Sequence, residues 1–303
     1  MQVTFLGTSA ALPTVDRNVS ALMVQREGEL LLFDCGEGTQ RQMMRYTSGF
    51  AVEDIFITHY HADHILGIPG LLRTMGLQGR TAPVRMHGPR GAQRQLGPLI
   101  TLGMERPKFP VELVELRVDE ILNRGEYDIV VGEATHKGEC LSYGLIEHDR
   151  LGRFDPARAR SLGIPEGPMW GKIHKGEPIT LGDGTVVAPS ELVGPQRSGR
   201  KLVISGDTRP SAAVTELARG ADLLIHEATF GADEVERAME TGHSTAAEAA
   251  MVAQNAGVKR LVLTHISARY TREAPELVAE ARAVFAETEV ARDGMVVEIP
   301  FQA

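Results

Sequence analysis

Residues 58–64 read Thr-His-Tyr-His-Ala-Asp-His, which puts four metal-capable side chains into six consecutive positions. On an extended stretch His59 and His61, two apart, point the same way. Asp63 and His64 are neighbours, so they diverge and are free to face a second centre. Packing has no use for three imidazoles and a carboxylate crowded together, whereas a cation does. Neutral imidazole and carboxylate suit zinc, with manganese or iron as alternatives. The bland reading, a polar loop that happens to be rich in histidine, explains the types but not their spacing.

Two metals need more ligands than this run offers, and polar residues at the ends of expected strands are the place to look. His136 follows the expected strand Tyr127–Val131, Asp207 follows Lys201–Ser205, and His265 ends the strand at Arg260–Thr264. A carboxylate can bridge two cations, which makes Asp207 the natural shared ligand, and Gly206 before it lets the backbone come close. Three histidines for one ion and a mixed set for the other leave positions open for water. The chemistry expected is metal-assisted hydrolysis, in which a hydroxide held between two ions attacks and Asp63, also a ligand, orients it and accepts its proton. His243, just before the expected helix Ser244–Ala256, is suited to the phosphate and the leaving group of a phosphodiester. Its alternative is a solvent-facing residue near a helix cap. Glu227 is placed to orient His243. His87 reads as buried and hydrogen-bonded, His148 and His174 as solvated.

Short apolar runs alternating with helical patterns must carry these residues. Val3–Leu6, Glu29–Asp34, Asp54–Thr58, Val84–His87 and Leu223–His226 also read as strands. Leu66–Leu77, Gly91–Leu102 and Ala274–Thr288 read as helices, beside the alanine-rich, strongly periodic Ser244–Ala256. Residues 53–59 and 258–265 echo each other: a charged lead-in, an apolar strand, then Thr-His at its end. Two such halves would bring both histidines to one edge of paired sheets.

The chain has 303 residues, 43% of them apolar, enough for a large core in one or two domains. Its two cysteines exclude a disulfide framework and fit a reducing cytosol. No stretch is long and apolar enough to span a membrane, and the N-terminus has no leader pattern. The net charge of −8 argues against nucleic acid at first sight. Locally the sign reverses, since Arg150 to Lys175 holds six Lys or Arg against two Asp or Glu.

That basic stretch lies within residues 150–199, which break the alternation of strands and helices with frequent Gly and Pro and hold the single tryptophan, Trp170. Composition of this kind is not expected to pack as a core element. It reads either as a flexible surface loop or as a binding arm inserted into a single domain spanning 1–303, with the charge favouring the arm.

With these residues in view, the chain resembles the metallo-β-lactamase fold superfamily, through His59–His64, His136, Asp207 and His265. More narrowly it is similar to the bacterial ribonuclease Z family of tRNA 3′-processing endonucleases. That likeness runs through Gly7-Thr8-Ser9-Ala10, Arg17-Asn18-Val19-Ser20, residues 33–40, Gly206-Asp207-Thr208, His226-Glu227-Ala228-Thr229 and Gly242-His243-Ser244-Thr245. Residues 167–172 resemble the tip of that family's tRNA-gripping arm. Residues 267–270, with Arg269, resemble a family loop in which Ser stands for Ala268. The resemblance implies an αββα sandwich (α/β in class, four layers) with a protruding flexible arm, and two Zn2+ per chain. It implies a homodimer in which one subunit's arm serves the other's active site. It also implies that precursor tRNA is cut to leave a 3′-hydroxyl on the tRNA and a 5′-phosphate on the trailer. Arg158, Arg160, Trp170, Lys172, Lys175 and Arg269 are then the substrate-binding candidates, and Asp63 and His243 the proton acceptor and the phosphate-side histidine.

Two other functions compete. A small-molecule hydrolase of the same fold, a lactonase, thioesterase or arylsulfatase-like enzyme, fits the metal set but has no need of a basic arm. A non-catalytic RNA-binding module fits the arm but has no need of an open metal centre.

Overall fold

The computed structural model describes residues 1–47, 49–103 and 106–302. Its first strands are β1 (Gln2–Gly7), β2 (Ser9–Ala10), β3 (Ala21–Arg26) and β4 (Glu29–Phe33), followed by α1 (Thr39–Tyr46) and β5 (Asp54–Phe56). Next come α2 (Ala62–Ile65), α3 (Ile68–Leu77), β6 (Val84–Gly88), α4 (Ala92–Ile100), β7 (Val111–Glu115) and β8 (Ile121–Asn123). The long strands β9 (Tyr127–His136) and β10 (Gly138–Glu147) lead to α5 (Pro156–Ser161), α6 (Pro168–His174), β11 (Ile179–Thr180) and β12 (Val186–Val187). After β13 (Lys201–Ile204) come α7 (Ala212–Leu217), β14 (Leu223–Glu227), α8 (Val235–Thr241), α9 (Ala246–Ala256), β15 (Leu261–Thr264) and β16 (Ile266–Ser267). The chain closes with α10 (Pro275–Val284), β17 (Thr288–Val290) and β18 (Val296–Glu298).

Two seven-stranded sheets dominate, ordered β18-β1-β3-β4-β5-β6-β7 and β17-β15-β14-β13-β10-β9-β8. In the first, antiparallel pairing gives way to parallel after β4; in the second, β17, β15, β14 and β13 are parallel and β13 meets β10 antiparallel. Alternate residues of each strand go to opposite faces. Leu31 and Phe33, with Leu223 and Ile225, fill the layer between the sheets, while Leu32 packs under the helices on one side and Leu224 under those on the other. Both faces are covered, so these strands are apolar throughout. The expected αββα sandwich is the observed one.

Several boundaries differ from expectation. His136 ends β9 itself, which runs on past Val131. The helix expected over Leu66–Leu77 is α3, which begins at Ile68, and a short unexpected helix, α2, precedes it, with Gly67 between the two. A side chain at Gly67 would meet the carbonyl oxygen of Gly36 at 2.0 Å. The helix expected to reach Thr288 stops at Val284, because Phe285 is extended and Thr288 begins β17.

Contacts divide the chain into two compact units, Met1–Ile146 with Lys201–Pro300, and Glu147–Arg200 with the chain end from Phe301. The second unit corrects the expectation that its sequence will not pack. Ala159, Ile164, Ile173, Ile179, Val187 and Leu192 form a small buried cluster, roofed by Phe154, Met169 and Trp170. Asp155 caps α5 through the Arg158 amide, and Arg200 pairs with Glu147 at 2.7 Å. His174, expected in solvent, is half-buried with Nε2 3.1 Å from the Gly152 carbonyl.

Candidate metal centre and active site

The two echo segments behave alike. Just past β5 and at the end of β15, in different sheets, Thr58-His59 and Thr264-His265 deliver both histidines to one cluster. The run that begins at His59 is extended only as far as His61, the N-cap of α2. Asp63 and His64 therefore sit on a helical turn, where neighbours are about 100° apart rather than opposed. That correction explains why both reach the same group. Gly206, with φ +63, is needed before Asp207, since a Cβ there would meet the Leu141 carbonyl oxygen at 2.7 Å.

All seven expected ligands come together. His59, His61, His136 and Asp207 form one group; Asp63, His64 and His265 form a second. Within each, the ligand atoms lie within 4.8 Å of one another. Asp207 Oδ2 is 3.5 Å from His59 Nε2 and 3.4 Å from both His64 Nε2 and His265 Nε2, so it faces both groups. Asp63 Oδ2 is 3.3 Å from His265 Nε2 and accepts the Ala11 amide at 3.0 Å.

Residues that spacing did not single out hold the rings. His64 Nδ1 donates to buried Asp34 at 2.7 Å, and Asp34 also takes the Thr58 hydroxyl at 2.9 Å. His59 Nδ1 lies 3.0 Å from Thr58 Oγ1 and His265 Nδ1 2.9 Å from Thr229 Oγ1, both hydroxyls being donors to carboxylates. His136 Nδ1 donates to the Gly242 carbonyl at 2.8 Å. In each case Nδ1 carries the proton and Nε2 keeps its lone pair for the centre. His61 turns the other way, with Nδ1 2.9 Å from His59 Nε2 and 3.3 Å from His136 Nε2. Asp34 and His265 hold φ of +57 and +55, left-handed conformations uncommon outside glycine that Asp and His adopt more readily than most residues.

This donor set fits a cation. His59 Nε2 and His136 Nε2, whose ring protons are committed elsewhere, face His61 Nδ1, and the buried Nε2 of His64 has no hydrogen-bond partner. Imidazole with carboxylate is the chemistry of zinc, manganese or iron sites.

Beside the cluster, His243 Nδ1 donates to Glu227 Oε1 at 2.8 Å. Glu227 is itself fixed by the Thr208 and Thr229 amides at 3.1 Å each. Burial works to lower the His243 pKa, but the Glu227 hydrogen bond and the carboxylates Glu227, Asp207 and Asp63 outweigh it and push it up to about 9. His243 Nδ1 is also 4.0 Å from Asp207 Oδ2, so a third group, Asp207, His243 and His265, is geometrically able to hold an ion. Arg209 anchors the segment by donating to the His243 carbonyl at 2.6 Å and pairing with Glu248, the residue that completes the α9 capping box with Thr245. Arg269 and the unforeseen Arg237 line the same cavity, over the ring of Phe230. His87 is buried against Asp54 at 2.7 Å, away from the cluster, as expected.

Arg158, Arg160, Lys172 and Lys175 are exposed in the second unit. Arg160 is already engaged by Glu166 and lies over the Trp170 ring. Trp170 packs inside its unit, its Nε1 donating to the Ile164 carbonyl at 3.2 Å and its ring 5.0 Å from that of Phe154.

Residues 14–146 match the family model described as Metallo-beta-lactamase superfamily, and 159–266 the one described as Beta-lactamase superfamily domain. The chain is 58% identical to ribonuclease Z of Gemmatimonas aurantiaca, covering 98% of this chain and 95% of that protein. It is 52% identical to ribonuclease Z of Myxococcus xanthus, covering 100% and 99%. The crystal structure of human tRNase Z, short form, superposes with a TM-score of 0.70 at 30% identity, over 99% of this chain and 100% of that one.

Proposed function

The chain belongs to the ribonuclease Z family, endoribonucleases that process the 3′ end of tRNA, and we propose how its residues divide that work. The observation that carries the proposal is Asp207 facing two ligand groups with the His243–Glu227 pair beside them. In this reading His59, His61, His136 and Asp207 hold one divalent ion, and Asp63, His64, His265 and Asp207 a second, both zinc. When bound, such ions supply Lewis acidity to a phosphodiester oxygen and to the attacking water.

The protein groups do the rest. Asp63, pinned by the Ala11 amide, orients the water and accepts its proton. As the water oxygen bonds to phosphorus, the bond from phosphorus to the 3′-oxygen of the tRNA breaks. His243, its Nδ1 held by Glu227, presents Nε2 to that departing oxygen and protonates it. The tRNA leaves with a 3′-hydroxyl and the trailer with a 5′-phosphate.

The exposed cations Arg158, Lys172 and Lys175, and Arg160 less so, serve to grip precursor tRNA, with Arg269 acting in the active-site cavity. By family resemblance, the enzyme works as a homodimer in which one subunit's arm serves the other, and it works in the cytoplasm. No described helix is long and apolar enough to cross a membrane. A lactonase or thioesterase reading loses its support at 58% identity to a ribonuclease Z.

The test is a labelled precursor tRNA with mapped product ends, run with and without chelator and paired with elemental analysis. Cleavage at the trailer boundary, lost with chelator, and two ions per active chain are expected. One ion in a fully active preparation sinks the two-ion reading, and cleavage elsewhere sinks the processing role.

A further inference from the structure

A second open cavity borders the centre, larger than the one around His243: about 720 Å³ against about 270 Å³. Its floor is His59-Tyr60-His61, one wall is the stretch from Arg90 to Gln95 leading into α4, and the other is the β9–β10 turn with Lys137 and Glu139. Arg90, Arg94 and Lys137 are exposed, and none forms an ion pair or side-chain hydrogen bond among the described residues. Against them stands one carboxylate in the lining, Glu139, so the groove carries a surplus of positive charge in a protein whose net charge is −8. Lys137 follows the ligand-type His136 directly, so its position is tied to that of the centre. Tyr60 has its hydroxyl bound to the Pro89 carbonyl and is a wall rather than a donor.

The groove and the His243 cavity share one lining residue, His61. A polynucleotide cut at the centre must continue on both sides of the scissile phosphate. With His243 assigned to the departing 3′-oxygen of the tRNA, the tRNA end occupies the His243 cavity. The strand on the other side of the phosphate then takes the groove. We propose that Arg90, Arg94 and Lys137 bind the backbone phosphates of the single-stranded, 5′-phosphorylated trailer. This rests on the cleavage proposed above and names the part of the substrate the groove receives. Contacts to backbone phosphate carry no base identity, so trailers of differing sequence are held alike.

The test uses the metal-loaded wild-type enzyme and the trailer product itself, a fluorescent 5′-phosphorylated single strand that the enzyme does not cut. Arg90→Ala/Arg94→Ala/Lys137→Ala is expected to weaken its binding about ten-fold or more. It is also expected to flatten the log–log salt slope by roughly 2, at about 0.7 per phosphate of a single strand. In cleavage assays, wild type gains in kcat/KM when a single-nucleotide trailer is lengthened, and the triple variant loses that gain. Arg90→Lys/Arg94→Lys keeps the charges and retains the binding; failure to do so overturns a phosphate role. Equal loss on short and long trailers places these cations on the tRNA body, and unchanged binding empties the groove of function; either overturns the proposal. A wild-type enzyme that does not cut at the trailer boundary is a separate failure, that of the cleavage reading.

Discussion

At the scale of single residues, the centre is a set of committed protons. His59, His64, His136 and His265 each spend Nδ1 on a neighbour, and His243 spends its own on Glu227. The acceptors were not legible in the sequence in the way the histidines were. Three imidazoles within six residues announce themselves, whereas Thr58, Thr229 and the Gly242 carbonyl are ordinary until the fold brings them near. Asp34 had one signal, a carboxylate closing an apolar strand before Gly-rich chain, and spacing alone did not single it out. The geometry leaves His243 between two roles, proton donor and ligand. His243→Ala is expected to keep the wild-type metal content while turnover on precursor tRNA falls about 10²–10⁴-fold, the range for losing a general acid. Metal loss in elemental analysis of that variant would assign it to the ligands instead. Asp63→Ala would remove a proposed ligand and the proposed proton acceptor together. Its turnover is expected below about a thousandth of wild type, with one metal equivalent lost or weakened.

At the scale of elements, the strands that end in ligands were readable because apolar runs stop abruptly at polar residues. Strands without such a stop, β3 and β10 among them, are hard to read. Ala21–Arg26 and Gly138–Glu147 interleave Gln, Ser and Gly with apolar residues, so each lacks a clean period, yet both become internal strands through pairing. One buried ion cluster ties β5 and β6 of the first sheet to the chain just past β8 of the second. Asp54 of β5 takes Arg85 of β6 at 2.7 and 2.8 Å, His87 of β6 at 2.7 Å, and Arg124 beyond β8 at 2.8 Å. Burial would raise the Asp54 pKa, but hydrogen bonds from Arg85, His87 and Arg124 overcome that and hold it well below the usual carboxylate range. A depressed folded pKa contributes stability that is complete above the unfolded value of about 3.9 and disappears as pH falls through the folded one. Asp54→Asn leaves Arg85 without its carboxylate and Arg124 with Glu29 alone, and about 3–5 kcal/mol is expected to be lost near neutral pH. In chemical denaturation, the gap between wild type and variant should narrow as the solution is acidified below the unfolded pKa. A gap that is constant down to strong acid would mean the cluster acts through packing rather than charge.

At the scale of the whole molecule, the ligand cluster belongs to one compact unit, and 147–200 packs as another, in which residues 150–175 hold six Lys or Arg against two Asp or Glu. The Gly and Pro content of that unit argues against a packed core. In the structure those residues punctuate short helices and a two-stranded ribbon over a core too small to show as a periodic pattern. The difference changes how the arm is best tested. Removing Ser161 to Lys175 would take out Ile164 and Ile173, two members of that core, and so would confound grip with folding. Trp170→Ala would do the same, since its ring packs on Phe154. Neutralising the exposed cations is the cleaner experiment. Arg158→Gln/Lys172→Gln/Lys175→Gln leaves the cluster intact and removes only charge that a polyanion would meet. The expected result is a KM for precursor tRNA raised about ten-fold or more, with a shallower dependence on salt, as follows when phosphate contacts are lost. Hydrolysis of a small chromogenic phosphodiester, which has no body for the arm to hold, should keep its kcat. Equal loss on both substrates would mean that these charges support the catalytic unit itself, and the grip on tRNA would have to be sought on another face.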